Sequence, residues 1–152
     1  DFSFSFFLQG VQGNDIYNLS MGTTNYDYGW GLNTFKEVLY NHWTPETPNA
    51  KYPKISNKNT YVVSDRFVYN GSYIRLKNIE LAYSIPTKKL GAAWISKAQI
   101  YVSAQNLFTI TDYPWYDPDV NSRGGSTSVN QGIDHYSYPS AKSYTFGVRL
   151  EF

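Results

Sequence analysis

The chain has 152 residues, of which 18% are aromatic and 16% are charged, and its formal net charge is +1. This charge balance gives no electrostatic case for nucleic-acid binding, and the absence of cysteine excludes disulfides and thiolate metal sites. The mean hydropathy is negative and no apolar run reaches about 18 residues, which excludes a transmembrane helix.

Two classes of protein fit this composition. The strands of an outer-membrane β-barrel alternate in polarity, so their average hydropathy is near neutral, and aromatic girdles mark both rims. A free-standing, aromatic-rich carbohydrate-binding β-sandwich would use tyrosine and tryptophan in similar amounts. Composition leaves both classes open, and the pattern of strands has to separate them.

The first predicted strand covers residues 2–11. Phe2, Phe4, Phe6 and Leu8 alternate with more polar positions, and a period of two places them on one face of a strand. No basic or apolar leader region precedes them, so no signal peptide is recognisable. Because the chain opens inside a strand, we expect it to be the C-terminal piece of a longer polypeptide.

Residues 12–65 are predicted to form a long polar loop, since this segment is far too long for a hairpin turn. Within it, Thr34 and Glu37 have the spacing of a capping box, which predicts a short helix from there to about His42. The apolar face of this helix would carry Phe35, Val38 and Leu39.

The second predicted strand covers residues 66–85 and changes phase near its middle. Ile74 belongs to one alternation and Ile79 to the other, so we expect a β-bulge at Lys77–Asn78. Arg75 and Lys77 are expected to face a barrel interior, because a cation that faces lipid near the midplane costs about 2–4 kcal/mol.

The third predicted strand, residues 98–110, follows a short turn at residues 86–97. Asn106 interrupts its otherwise apolar face. A second long loop, residues 111–140, leads to the final strand at residues 141–152. Connections that alternate long, short and long are typical of membrane barrels, which have large extracellular loops and small periplasmic turns.

The final strand is the strongest indication of such a barrel. Its apolar face is unbroken and consists of Tyr144, Phe146, Val148, Leu150 and Phe152, which alternate with Thr145, Gly147, Arg149 and Glu151. A strand of this length rises about 40 Å, enough to cross, when tilted, the roughly 25 Å apolar band of an outer-membrane barrel. The apolar set is expected to face lipid, and Arg149 the lumen. Four strands cannot close a barrel, so we expect further strands to pair with the first one.

Candidate chemical sites are few. His42 and His135 lack the spacing of metal ligands. Residues 117–121 (DPDVN) resemble the opening of a calcium loop, but Ser122 stands where such a loop needs glycine, so an Asx-stabilised turn is the preferred interpretation. No motif places a pair of carboxylates for catalysis, which favours a protein that is not an enzyme.

Aromatic side chains are better candidates for ligand contact. Tyr26, Tyr28 and Trp30 would share one face if the chain were extended there, and Trp115 and Tyr116 crowd the start of the second loop. Sugar rings stack their apolar faces on such side chains. Packing within the loops, or an interfacial girdle, is the alternative interpretation of the same residues.

Several runs of sequence resemble one family over essentially the whole chain. They are residues 9–17 (QGVQGNDIY), 70–86 (NGSYIRLKNIELAYSIP), 100–109 (IYVSAQNLFT), 116–121 (YDPDVN), and 132–152, from GID through YP to YTFGVRLEF. Together they are similar to the SusC/RagA family of TonB-dependent outer-membrane transporters.

This resemblance implies an all-β fold, in which the chain supplies the last four antiparallel strands of a barrel of about 22 strands with a plugged lumen. It further implies a location in the bacterial outer membrane among lipid, and no cofactor. The implied partners are the rest of the same barrel polypeptide, a lid lipoprotein resembling SusD, and TonB, acting through an N-terminal region absent here.

The implied function is import of glycans or peptides. The short helix would then pack over the extracellular mouth or contact the lid, and Phe152 would be read by the machinery that inserts barrels. The alternatives are the carbohydrate-binding β-sandwich and an outer-membrane barrel that does not transport.

Overall fold

The computed structural model describes residues 1–87, 91, 94–120 and 131–152, and of Trp30 it describes the backbone alone. The chain forms two compact units. The first comprises Asp1–Gly13, Ser72–Asp112 and Pro139–Phe152, and the second comprises Asn14–Gly71 and Tyr113–Tyr138. No helix in the described ranges is long and apolar enough to cross a membrane.

Strands dominate the first unit, and short strands and helices make up the second. In chain order the elements are β1 Phe2–Val11, β2 Asp15–Asn18, α1 Leu19–Asn25, a 3₁₀ helix Tyr28–Trp30, α2 Lys36–Asn41, a 3₁₀ helix Asp65–Phe67, β3 Val68–Asn70, β4 Tyr73–Ile85, β5 Lys97–Thr111, β6 Ile133–Asp134 and β7 Ser143–Glu151.

The first unit is a four-stranded antiparallel sheet with the order β1-β4-β5-β7. Strand β1 has the predicted bounds, β5 is one residue longer at each end than predicted, and β7 is shorter than the predicted 141–152. The predicted start of the second strand at residue 66 is wrong. Residues 65–70 form a 3₁₀ helix and β3, which pairs with β2 in the second unit, so the long strand begins only at Tyr73.

One face of this sheet is apolar across all four strands. The register aligns Phe2 of β1 with Tyr83, Tyr83 with Ile100, and Ile100 with Val148 of β7, so residues with the same alternation share a face. Many of these side chains are exposed, with Phe146 at 81%. A contiguous apolar surface of this kind is typical of a face that meets lipid or another protein.

The opposite face is polar, and Arg149 lies on it as predicted. Its two terminal nitrogens donate to the two carboxylate oxygens of Glu80 at 2.8 and 2.9 Å, and Nη1 also donates to Gln99 Oε1 at 3.0 Å. The guanidinium carbon lies 4.0 Å from the ring centroid of Tyr101. These contacts tie β7 to β5 and β4 on one face.

Arg75 lies on the same polar face and is only 2% exposed. Its Nε donates to Thr109 Oγ1 at 2.8 Å and its Nη1 donates to Ser140 Oγ at 2.9 Å. The guanidinium also lies 5.4 Å from the ring centroid of Tyr73. The cation is therefore bonded to neighbours on the polar side, away from the apolar face.

The predicted β-bulge is confirmed and centres on Lys77. In the β1–β4 pair, Phe7 lies opposite Asn78 and Leu8 lies opposite Leu76, so Lys77 is an extra residue without a partner in β1. In the β4–β5 pair, Lys77 faces two residues of β5. One of the two is Asn106, the predicted irregularity of β5. It has a left-handed φ of 50°, which asparagine tolerates, and its Nδ2 donates to the Ala141 carbonyl oxygen at 2.9 Å.

The predicted long loops, residues 12–65 and 111–140, carry secondary structure of their own and supply most of the second unit. Strand β2 forms an antiparallel pair with β3 and a parallel pair with β6, which gives a small sheet with the order β3-β2-β6. The unit has its own apolar core, in which Ile16 and Val38 are fully buried and Tyr52 and Phe67 nearly so. Its elements are too short to show a clear period in the sequence.

The capping box predicted for Thr34 and Glu37 does not form. Helix α2 begins at Lys36 with Phe35 as its N-cap, and no side chain caps it. Glu37 instead accepts hydrogen bonds from Lys51 Nζ at 2.8 Å and Tyr52 Oη at 3.1 Å, and the bond from Lys51 is the main reason that its pKa lies below the ordinary value. The ion pair draws the carboxylate away from the helix terminus.

A glycine lets the last strand lie close to β5. Gly147 is the direct cross-strand partner of Tyr101, and a Cβ at position 147 would collide with the Tyr101 ring. The ring therefore covers the glycine while Arg149 covers the ring. Such contacts between an aromatic side chain and a glycine help to fix the register of a strand pair.

Replacing Gly147 by alanine is expected to destabilise the sheet by roughly 1–3 kcal/mol, because the added methyl group overpacks against Tyr101. The fraction of protein that remains folded in detergent on unheated gels measures the effect. The double variant Gly147→Ala/Tyr101→Ala should recover part of the loss, and Thr145→Ala, on the same face, should stay near wild type. A Gly147→Ala protein as abundant and stable as wild type would contradict this account.

Candidate functional site

The predicted alternation of Tyr26, Tyr28 and Trp30 on one extended face is wrong. Helix α1 runs up to Asn25, and residues 28–30 form a 3₁₀ helix. Asp27 caps this turn, since its Oδ1 accepts from Gly29 N at 3.2 Å. Side chains of a tight helix point in successive directions, so these aromatic residues do not form a common strip.

Tyr26 is half-buried and belongs to an aromatic cluster. Its ring lies 5.1 Å from Phe67, edge to face, and 5.4 Å from Tyr52. The guanidinium carbon of Arg66 lies 5.6 Å from the Tyr26 ring centroid. Tyr26 therefore helps to build the core of the second unit and also lines a cleft of about 410 Å³ beside Arg66.

Tyr28 is also half-buried, and its hydroxyl oxygen has no hydrogen-bond partner among the described residues. Burial, helped by the nearby hydroxyls of Tyr26 and Tyr52, raises its pKa to about 12. A buried hydroxyl without a partner loses hydration without compensation. The third predicted residue of this group, Trp30, has a side chain outside the described part.

Trp115 and Tyr116 do lie together, and Phe35 joins them. The Trp115 ring stacks on Phe35 with centroids 5.1 Å apart and lies edge to face with Tyr116 at 5.2 Å. Tyr116 is 68% exposed, so the group forms an aromatic ridge, defined here as Phe35, Trp115 and Tyr116. The sequence alone did not reveal Phe35, because its contact with Trp115 spans 80 positions.

Two buried carboxylates organise the second unit rather than form a reactive centre. Asp134 accepts from Tyr113 Oη at 2.7 Å and from Ser137 N at 3.1 Å. Burial, and secondly this bond to Asp134, raises the pKa of Tyr113. The other carboxylate, Asp27, accepts from Tyr61 N at 3.0 Å through its second oxygen. Each carboxylate thereby joins segments that are distant in sequence.

The Asx turn predicted at Asp117 is confirmed, since its Oδ1 accepts from Asp119 N at 2.9 Å. The third residue of the calcium-like motif, Asn121, lies outside the described residues. Within the described ranges, no group of three histidine, aspartate or glutamate side chains is placed to hold a metal ion. His42 caps the C-terminus of α2, where its Nδ1 lies 2.9 Å from the Leu39 carbonyl oxygen.

Phe152, the predicted assembly residue, is 78% exposed at the end of the sheet. Its ring stacks on Trp94, with centroids 5.7 Å apart and planes 16° from parallel. Trp94 belongs to the connection between β4 and β5, so the two rings mark one end of the sheet. The pairing with Trp94 was not predicted.

No family model matches the chain, but individual proteins do. It is 34% identical to TonB-dependent receptor P3 of Formosa agariphila, over 100% of this chain and 15% of that protein. It is 30% identical to TonB-dependent receptor SusC of Bacteroides thetaiotaomicron, over 100% of this chain and 14% of that protein. The chain thus spans about 15% of the length of these relatives.

Solved structures of the RagAB transporter also resemble the chain. A structure of the RagAB peptide transporter matches with a TM-score of 0.78 and 29% identity. The match covers 99% of this chain and 16% of that one. The RagAB peptide importer in its open-open state matches with a TM-score of 0.77 and the same identity and coverage.

Replacing Tyr28 by phenylalanine is expected to leave the second unit as stable as wild type, or more so, because it removes a buried hydroxyl without a described partner. The wild type should lose stability as pH rises above about 10, since the unfolded chain then releases a proton that folded Tyr28 retains up to a pKa of about 12. The variant should lose less. Proteolysis rates within residues 14–71 at rising pH measure the difference, with Tyr40→Phe as the exposed control, and a faster-cleaved Tyr28→Phe would oppose the prediction.

Proposed function

The chain belongs to the SusC/RagA family of TonB-dependent receptors, and we propose that it is part of an outer-membrane importer of glycans or peptides. The observation that carries this proposal is the match to SusC and to RagAB over essentially the whole chain. Relatives with these names are receptors and importers, which supports transport over catalysis. The same matches favour a barrel segment over the free-standing carbohydrate-binding sandwich.

In the proposed setting, the apolar face of the sheet meets lipid and the polar face lines the barrel lumen. The pair Arg149–Glu80 supports this assignment, because a lipid-facing arginine near the midplane would cost about 2–4 kcal/mol. In the described part, β1 and β7 each have one neighbouring strand. Unpaired backbone groups in lipid are costly, so both outer edges pair with further strands of the same receptor.

The second unit lies outside the cell in this proposal, and the connection at residues 86–97 lies at the periplasmic rim. Helix α2 then contacts a SusD-like lipoprotein lid. The aromatic ridge offers the lid or a substrate an exposed stacking surface. Energy comes from TonB, through a region of the receptor outside this chain.

Uptake measurements distinguish an importer from the alternative, a barrel that does not transport. A strain that lacks the gene for the complete receptor is expected to lose uptake of one class of labelled oligosaccharide or peptide, and a strain that lacks TonB should lose the same uptake. The receptor should also copurify with a surface lipoprotein in mild detergent. Retention of every tested uptake in both strains would favour the non-transporting barrel.

Deleting Phe152 is expected to lower the amount of folded, heat-modifiable receptor in the outer membrane, while molecules that do insert import normally. The reason is that this residue directly follows β7, whose outer edge must pair with a further strand so that no free edge remains in lipid. Densitometry of unheated gels and uptake per folded receptor give the two readouts.

Trp94→Ala is the matched control, since it removes the stacking partner and leaves the terminus intact. If Phe152 acts only as an interfacial aromatic, the deletion and the control should behave alike, with a loss of about 1 kcal/mol. If the deletion variant has wild-type levels of folded barrel but impaired import, Phe152 acts in transport and not in assembly.

A further inference from the structure

The cleft beside Arg66 has the make-up of a small ligand site. Its volume of about 410 Å³ falls within the range of small-molecule pockets. Tyr26, Pro53 and Val62 supply apolar walls, and Asn59, Ser64 and Arg66 supply polar groups. Predominantly apolar walls with a few convergent polar groups are the usual composition of such sites.

Arg66 brings hydrogen-bond donors to this cleft that the described residues leave largely unused. The contact made by its guanidinium nitrogens is a long bond from Nη1 to the Lys51 carbonyl oxygen, at 3.4 Å. Within the described ranges, no carboxylate pairs with it. A guanidinium presents five N–H donors in a fixed fork that matches a carboxylate.

The position of Arg66 is fixed by its surroundings. Arg66 lies in the 3₁₀ helix that Ser64 caps, where Ser64 Oγ accepts from the Arg66 backbone N–H at 3.2 Å. The next residue, Phe67, is 3% exposed and packs against Tyr26 and Tyr61. The guanidinium is held over the Tyr26 ring, which limits the rotamer entropy lost when a ligand binds.

The local charge also favours an anion. The segment 51–66 contains Lys51, Lys54, Lys58 and Arg66, against the single acid Asp65. Lys51 is compensated by Glu37 at 2.8 Å, and the other three basic residues against Asp65 leave the segment with a net positive charge. Net positive charge near the cleft attracts a negatively charged ligand.

We propose that this cleft binds a uronate residue of an acidic oligosaccharide, a proposal that rests on import of glycans. The apolar face of the sugar ring lies against Tyr26 and its neighbours, and the carboxylate pairs with the Arg66 guanidinium. A uronate carries its carboxylate directly on the ring. One monosaccharide can therefore contact the apolar wall with its ring and Arg66 with its carboxylate. An acidic peptide would bring backbone amides into a cleft whose walls are mainly apolar, where unpaired amides are costly.

Binding to the purified full-length receptor tests this site. The probes are tetrasaccharides of glucuronate, galacturonate, mannuronate and guluronate, their methyl esters, neutral cellotetraose and a tetraglutamate peptide, each titrated by calorimetry. At least one uronate should bind, and its methyl ester and the Arg66→Gln variant should each weaken binding about tenfold or more, as expected for a charged hydrogen-bonded pair.

Lys58→Gln removes the same charge from the same segment outside the cleft and should change the affinity less than twofold. Arg66→Lys should retain part of the binding, because it keeps the charge and loses the fork. Equal binding of the ester, or an unchanged affinity in Arg66→Gln, would overturn the site. Binding of the peptide alone, with the same dependence on Arg66, would overturn the sugar assignment, as would no binding of any uronate.

The uptake experiment separates this proposal from the import function. If the receptor imports a neutral glycan or a peptide but binds no uronate, the proposal of import stands and the proposed uronate site is rejected. Unchanged uptake in both deletion strains, together with Arg66-dependent uronate binding, would contradict import and support the site. The two proposals can therefore fail independently.

Discussion

The continuity of one apolar face over four strands depends on a single extra residue. In a strand, a shift of one position moves every following side chain to the other face. The sequence of β4 changes phase near its middle, and Lys77 absorbs that change as the extra residue that has no partner in β1. Without this bulge, either Ile74 or Ile79 would stand on the face that holds Arg149 and Glu80. The left-handed backbone of Asn106 is the complementary distortion in β5.

The parts that the sequence predicts are those governed by local alternation. A period of two predicts the strands of the first unit and the bulge at Lys77. It also predicts that Arg149 lies on the other face of the sheet from Phe146. The predictions that fail concern competition between local and distant partners. Glu37 bonds to Lys51 rather than to the helix terminus, and residues 68–70 pair with β2 rather than extend β4.

In the candidate site, too, some features follow from the local sequence and others depend on distant contacts. Tyr116 is exposed and adjacent to Trp115, as its position in the sequence suggested, but Phe35 reaches the ridge only through the fold of the second unit. Arg66 could not be recognised in advance, since it was assigned to the start of a strand. Its placement over Tyr26 depends on the buried Phe67 next to it, and such burial is set by contacts across the unit.

The parallel pairing of β2 with β6 has a consequence for how receptors of this kind diversify. Tyr17 lies opposite Ile133, and the Tyr17 N–H donates to the Gly132 carbonyl oxygen at 2.8 Å, so two stretches separated by more than a hundred positions share one small sheet. Recombination that exchanged either stretch alone between paralogous genes would leave backbone groups of the other without partners wherever the new stretch did not adopt the paired conformation. The two stretches are therefore expected to vary together, although more than a hundred positions separate them in one reading frame.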